Sequence, residues 1–284
     1  MESKRITKNE WEEYARYLKM EEKGEATQKK YLRDVGRFLL RQKRRGKKGI
    51  ITKVDIIQYK EELLQSYSAR SANTVLAAIN NFLRFLGADA MRVKQYRIQR
   101  RTFYPQEKEL SYGEYRKLLA AARKKGNRRL YMILQTLGAT GARVSELKYF
   151  TVEAVRAGSV EIMNKGKDRK ILLPGKLRSL LRKYIQQQKI QTGSVFRTRT
   201  GQAVDRTNIW REMKSICQAA GVSEKKVFPH NLRHMFARLF YSIDHDIASL
   251  SDILGHSNID TTRIYVSATT AEHLRKMEQL RLII

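Results

Sequence analysis

Acidic residues are scarce in this chain. Over 284 residues, 28 Asp and Glu stand against 58 Lys and Arg, giving a formal net charge of +30 and an isoelectric point near 10.3. That excess is larger than solubility requires and points to a polyanionic partner, of which nucleic acid is the commonest. Cysteine is rarer still. Cys217 stands alone, which excludes an intrachain disulfide and a multi-cysteine zinc site; within a helical stretch it is expected as a small core residue. No apolar run reaches the roughly eighteen residues of a membrane span, and the charged N-terminus lacks the pattern of a signal peptide. The protein is therefore expected to be soluble, in the cytoplasm with the nucleoid. What the chain does have is apolar content. A hydrophobic fraction of 42% is enough for real cores, and the length suits about two domains.

Residues 1–87 read as a first domain of four helices. Trp11, Tyr14, Tyr17 and Leu18 mark the first; Tyr31, Val35, Phe38 and Leu39 mark the second, with Thr27 as its N-cap. Ile56, Ile57, Leu63 and Leu64 outline the third. Val75, Leu76, Ile79, Phe82, Leu83 and Leu86 form an amphipathic stripe closed by Gly87. These stripes predict core. The basic run RQKRRGKKG (41–49) reads equally well as a solvated loop or as a phosphate contact. Residues 88–108 lack periodicity, carry a basic stretch from Arg92 to Arg101 with no acid, and are expected to link the domains beside a nucleic-acid backbone.

The second domain is expected over 109–284. It opens with a capping box, Ser111 to Glu114, and helices at 112–125, 127–138 and 144–150. Two short strands, 160–163 and 170–174, flank a basic turn containing Gly166. Helices follow at 175–189, 205–220, 230–243, 247–254, 259–267 and 270–282, the last running into the apolar tip Leu282, Ile283, Ile284. The fold class is thus mainly α, with a small antiparallel sheet in the second domain.

Six residues from four segments carry chemistry together: Arg143 in GARVSEL (141–147), Lys165 in NKGKDRK (164–170), His230 and Arg233 in HNLRH (230–234), and His256 and Tyr265 in LGHSNIDTTRIYV (254–266). Two planar guanidinium forks can hold the non-bridging oxygens of a phosphate. A tyrosine can attack it, and a lysine and two histidines can move the protons. No metal or cofactor is needed. A zinc site at His230 and His234 fits poorly, because Asn231 stands where HExxH requires Glu and Arg233 would repel a cation. His230, Arg233 and His234 share a helical face, roughly opposite an apolar stripe of Leu232, Met235, Phe236, Leu239 and Phe240, with Arg233 nearer the flank. That face is expected to be covered by DNA. Glu146, three residues after Arg143, is expected to orient that arginine. His256 and Tyr265 would lie on opposite faces of one unbroken helix, so a break near Ser257 and Asn258 is required.

The order, internal patterns and spacing of these segments resemble the tyrosine recombinases, the phage-integrase or Xer-type family. The likeness spans nearly the whole chain, and its most specific part is the step from His256 to Tyr265. It implies an N-terminal four-helix, SAM-like core-binding domain and a mostly helical catalytic domain that close around double-stranded DNA. It also implies a covalent 3′-phosphotyrosine formed by Tyr265, clamps from Arg143 and Arg233, and a hydrogen bond from His256. Lys165 would be the general acid, with Lys167 as runner-up; His230 would assist the tyrosine, and His234 would be structural. The C-terminal helix would dock on a neighbouring protomer in a homo- or hetero-tetramer on DNA. No arm-type DNA-binding domain is expected before residue 8, which favours a simple Xer-like enzyme or a compact mobile element. Type IB topoisomerase-like strand relaxation, and a catalytically idle DNA-binding protein, are the alternatives.

Overall fold

The computed structural model describes residues 3–47, 49–98, 109–164, 167–256, 258–266 and 278–279, without the side chains of 164, 167, 168 and 264–266. The chain divides into two compact units, Met1–Arg100 and Arg101–Ile284. Its class is mainly α, with two small antiparallel sheets.

Among its described residues the first unit holds four α-helices, α1 (Lys8–Met20), α2 (Glu25–Arg44), α3 (Lys53–Ser66) and α4 (Ala69–Phe85). Thr7 and Thr52 form reciprocal capping boxes with Glu10 and Asp55, satisfying amides that the first helical turn leaves without partners. Thr27 is not the cap of α2. Its cap lies three residues earlier, at Gly24, and Glu25 sets a carboxylate in the first turn against the positive end of the helix dipole. Two three-residue strands, β1 (Ser3–Arg5) and β2 (Ile50–Thr52), pair antiparallel. Alternation cannot announce strands that short. Tyr14, Phe38, Phe82, Leu76 and Ile79 are all but completely buried at the centre.

The basic run at 41–49 is partly neutralised within this unit. Arg41 and Arg45 both pair with Glu62 of α3, the Arg41 guanidinium also lies 5.3 Å from the centre of the Tyr59 ring, and Lys47 sits 3.4 Å from Asp55. Residues 88–98 run along α4. Met91 and Val93 are buried in the core; the Asn80 side chain exchanges two hydrogen bonds with the Val93 backbone, and Asn73 does the same with Tyr96. The remainder of the expected linker, 99–108, lies outside the described residues.

In the second unit the Ser111–Glu114 capping box opens α5 (Tyr112–Lys124), followed by α6 (Arg128–Thr140). The segment expected as a helix at 144–150 is a tighter 3₁₀ turn, Val144–Tyr149, and a short helix not anticipated from sequence, α7 (Val152–Ala157), precedes the hairpin. Its strands β3 (Ser159–Asn164) and β4 (Lys167–Leu172) pair antiparallel, opposing Ile162 to Arg169 and Val160 to Ile171. After α8 (Gly175–Gln187), the single helix expected at 205–220 is two, α9 (Arg206–Lys214) and α10 (Cys217–Ala220), broken at Ser215–Ile216. Then come α11 (Pro229–Asp244), α12 (Ile247–Leu254) and α13 (Asp260–Val266). Cys217 is buried, its thiol bonded to the Met213 carbonyl at 3.3 Å. The expected C-terminal helix at 270–282, with its apolar tip, lies outside the described residues except for Glu278 and Gln279, which are helical. Among the described residues no helix is long and apolar enough to cross a membrane.

Candidate phosphate site

Two helix ends build this site. α6 stops at Gly141 and α12 stops at Gly255, each in the left-handed conformation (φ +60° and +63°) that glycine reaches without a Cβ penalty. A helix ending this way leaves carbonyl oxygens in need of donors, at the negative end of its dipole. Arg233 of α11 answers both. It is 1% exposed and donates to Gly141 O at 2.7 Å and Leu254 O at 2.8 Å. Expected near the flank of the apolar stripe, on a face covered by DNA, Arg233 is instead fully buried. The first turns of α11 pack against α6, α12 and α13, so Asn231 through Met235 are buried in succession, whereas Leu239 of the predicted core stripe is 44% exposed.

Arg143 sits two residues past Gly141 as the N-cap of the 3₁₀ turn. Its amide donates to Glu146 Oε2 at 2.7 Å and its guanidinium to Glu146 Oε1 at 2.9 Å, with a longer contact, 3.4 Å, to Gly255 O. Glu146 therefore orients Arg143, as expected. The Arg143 side chain is 41% exposed, so it forms the open rim of a site whose floor is Arg233.

His256 lies against Arg233. The chain leaves the helix at Gly255 and resumes it at Asp260, which supplies the break that the step from His256 to Tyr265 requires. His256 Nε2 is 2.6 Å from Arg233 Nη2 and Nδ1 is 2.8 Å from Thr262 Oγ1. A guanidinium can only donate, so Nε2 accepts, and the proton sits on Nδ1, donated to the threonine. Burial first, and then the charges of Arg233, Arg143, Arg169 and His230, push the His256 pKa down to about 4, in keeping with that neutral tautomer.

His230 is exposed and meets the buried His234 edge to face, with ring centres 5.5 Å apart. Desolvation, then Arg233 and Arg143, lower the His230 pKa; desolvation, then His230, lowers that of His234 to about 4. His234 and His256 are thus neutral in the fold well below the ordinary value of 6.5. Once unfolded they take up protons below 6.5, so the unfolded state binds more protons across the window from 6.5 down to about 4, and stability falls as pH falls through it. Calorimetry should show Tm dropping between pH 7 and pH 5, with a shallower slope in His234→Gln; an equal slope in that variant would refute the assignment.

The structure brings Arg143, Arg233, His230 and His256 together. Lys165 lies outside the described residues, as do the side chains of Lys167 and Tyr265; the Tyr265 backbone belongs to α13. One contributor escaped sequence reasoning. Arg169, grouped there with the basic hairpin, has an 8% exposed side chain bonded to both Glu146 oxygens at 2.5 Å. Its signal was the register: strand alternation puts it on the inward face with the buried Ile171, opposite the exposed Lys170.

One guanidinium held by helix-end carbonyls and one held by Glu146, with imidazoles beside them, form a cationic cluster of the kind that can hold a phosphoryl group. The profile described as the phage integrase family matches residues 108–272, and that of the phage integrase N-terminal SAM-like domain matches 11–89. Tyrosine recombinase XerA of Thermococcus kodakarensis is 32% identical over 278 residues, covering 94% of this chain and 93% of that protein. A crystal structure of XerA recombinase aligns over 98% of this chain and 100% of its own, at 27% identity and a TM-score of 0.53. A lambda integrase tetramer bound to a Holliday junction shares the fold at TM-score 0.70 and 18% identity, over 92% of this chain and 77% of that one. The chain belongs to the phage integrase family.

Proposed function

We propose that this protein is a tyrosine-type, site-specific DNA recombinase of the Xer kind, cutting and rejoining DNA through a 3′-phosphotyrosine on Tyr265. The observation that carries the reading is Arg233 fixed by two helix ends, with Arg143 at the rim and His256 between. Arg143 and Arg233 stabilise the extra negative charge of the pentacoordinate phosphate, as preorganised donors do at an oxyanion. The Tyr265 oxygen bonds to phosphorus, the bond from phosphorus to the 5′-oxygen breaks, and Lys165 gives that oxygen its proton. Neutral His230 takes the tyrosine proton. His256, beside Arg233, gives a hydrogen bond to a phosphate oxygen once DNA is seated.

The first domain, residues 1–87, and the basic linker, 88–108, would grip the duplex with the catalytic domain, 109–284. The net charge of +30 supports a backbone-following grip. Strand exchange between two duplexes needs four active sites, hence a homo- or hetero-tetramer joined through the C-terminal helix. The test is trapping on a nicked suicide duplex carrying candidate recombination sites. A slow, protease-sensitive band whose modified peptide contains Tyr265 is the expected result. Absence of any adduct on a duplex shown to be bound would favour a DNA-binding protein without this chemistry.

A further inference from the structure

We infer that Arg169 is a positioning residue for this reaction, fixing Arg143 and His256 relative to each other from the β3–β4 hairpin. The inference rests on the recombinase reading above. Besides α11, two chain segments supply the site: one runs from Gly141 to Glu146 and carries Arg143, the other is the α12 end, Ile253 to His256. Arg169 holds both. Its Nη1 meets Oε1 and Oε2 of Glu146 at 2.5 Å each, and Glu146 in turn carries Arg143. Its Nη2 donates to Ile253 O at 3.2 Å. The stem of the side chain lies against Gly255, where an added Cβ would come within 2.4 Å of Arg169 Cδ. The turn that delivers His256 is therefore pressed against the arginine that holds the partner of Arg143.

A DNA-contact role fits these facts badly. The side chain is 8% exposed and its terminal nitrogens face protein acceptors, unlike neighbouring Lys170, whose side chain is 58% exposed. Nor would lysine substitute. One ammonium cannot present the planar fork that reaches a carboxylate and a carbonyl from a fixed plane.

The test compares full-length wild type, Arg169→Met, Arg169→Lys and Lys170→Met in single-turnover cleavage of the suicide duplex, at saturating DNA and with the DNA Kd measured separately. Rates are taken at temperatures where near-UV circular dichroism shows each variant folded. Displacing catalytic groups by about 1 Å costs on the order of 100-fold. Arg169→Met and Arg169→Lys are expected to cleave ~100-fold slower with Kd changed less than about threefold, while Lys170→Met cleaves near the wild-type rate. A cleavage rate within threefold of wild type for Arg169→Met, or a loss confined to Kd, overturns the inference. So does failure of both Arg169 variants to fold at any temperature, which makes Arg169 a stabilising residue alone. If wild type itself forms no adduct on bound DNA, the recombinase reading fails first, and the two failures are told apart.

Discussion

Tyr265→Phe is expected to lose covalent attachment to DNA by at least about four orders of magnitude, since it removes the oxygen proposed to form the phosphoryl ester. The change removes one oxygen from a residue of α13, the short helix that begins at Asp260. Phenylalanine keeps the ring and removes only the hydroxyl. Binding to the duplex, measured by mobility shift, should stay within about threefold because it draws on many backbone contacts. Loss of adduct together with loss of binding would point to a folding defect, and an adduct persisting at wild-type level would place the nucleophile elsewhere.

Arg233→Lys should be the most damaging conservative change. Removing a guanidinium from a phosphoryl transition state costs on the order of 10³-fold or more in rate. Here the same change also strips donors from Gly141 O and Leu254 O, because one ammonium cannot span two helix ends and His256 as the fork does. Each buried acceptor left unsatisfied costs about 1–3 kcal/mol, so a fall in Tm should accompany the loss of cleavage. Arg143→Lys offers the contrast. Its side chain is 41% exposed, and the change should slow cleavage with little effect on Tm. Cleavage by Arg233→Lys within tenfold of wild type would sink the proposed role of that arginine.

Much of this site was legible in the sequence because its parts obey local rules. The Ser111–Glu114 capping box reads directly, and simple helical geometry demanded the break between His256 and Tyr265. The amphipathic stripe of α4 buries Leu76, Ile79, Phe82 and Leu83 as periodicity predicts. What could not be read was burial of charge. Periodicity counts arginine as polar and turns it outward, so Arg233 was expected on a flank and Arg169 among surface cations, whereas both are buried. Carbonyls at distant helix ends and a carboxylate across the hairpin decide their burial, and no window of neighbouring residues contains that information. The same limit hid β1 and β2, whose pairing joins residues 3–5 to residues 50–52.

Backbone carbonyls, not side chains, hold Arg233, and this moves the genetic weak points of the site. No substitution at Gly141 or Leu254 deletes the carbonyl oxygen each contributes. What a substitution can do is forbid the left-handed turn that aims it. At Gly141 an added Cβ would fall 2.4 Å from Phe236, and at Gly255 it would strike Arg169. A search for inactivating mutations should therefore find two glycines behaving like members of the active site, though neither has a side chain to offer the reaction.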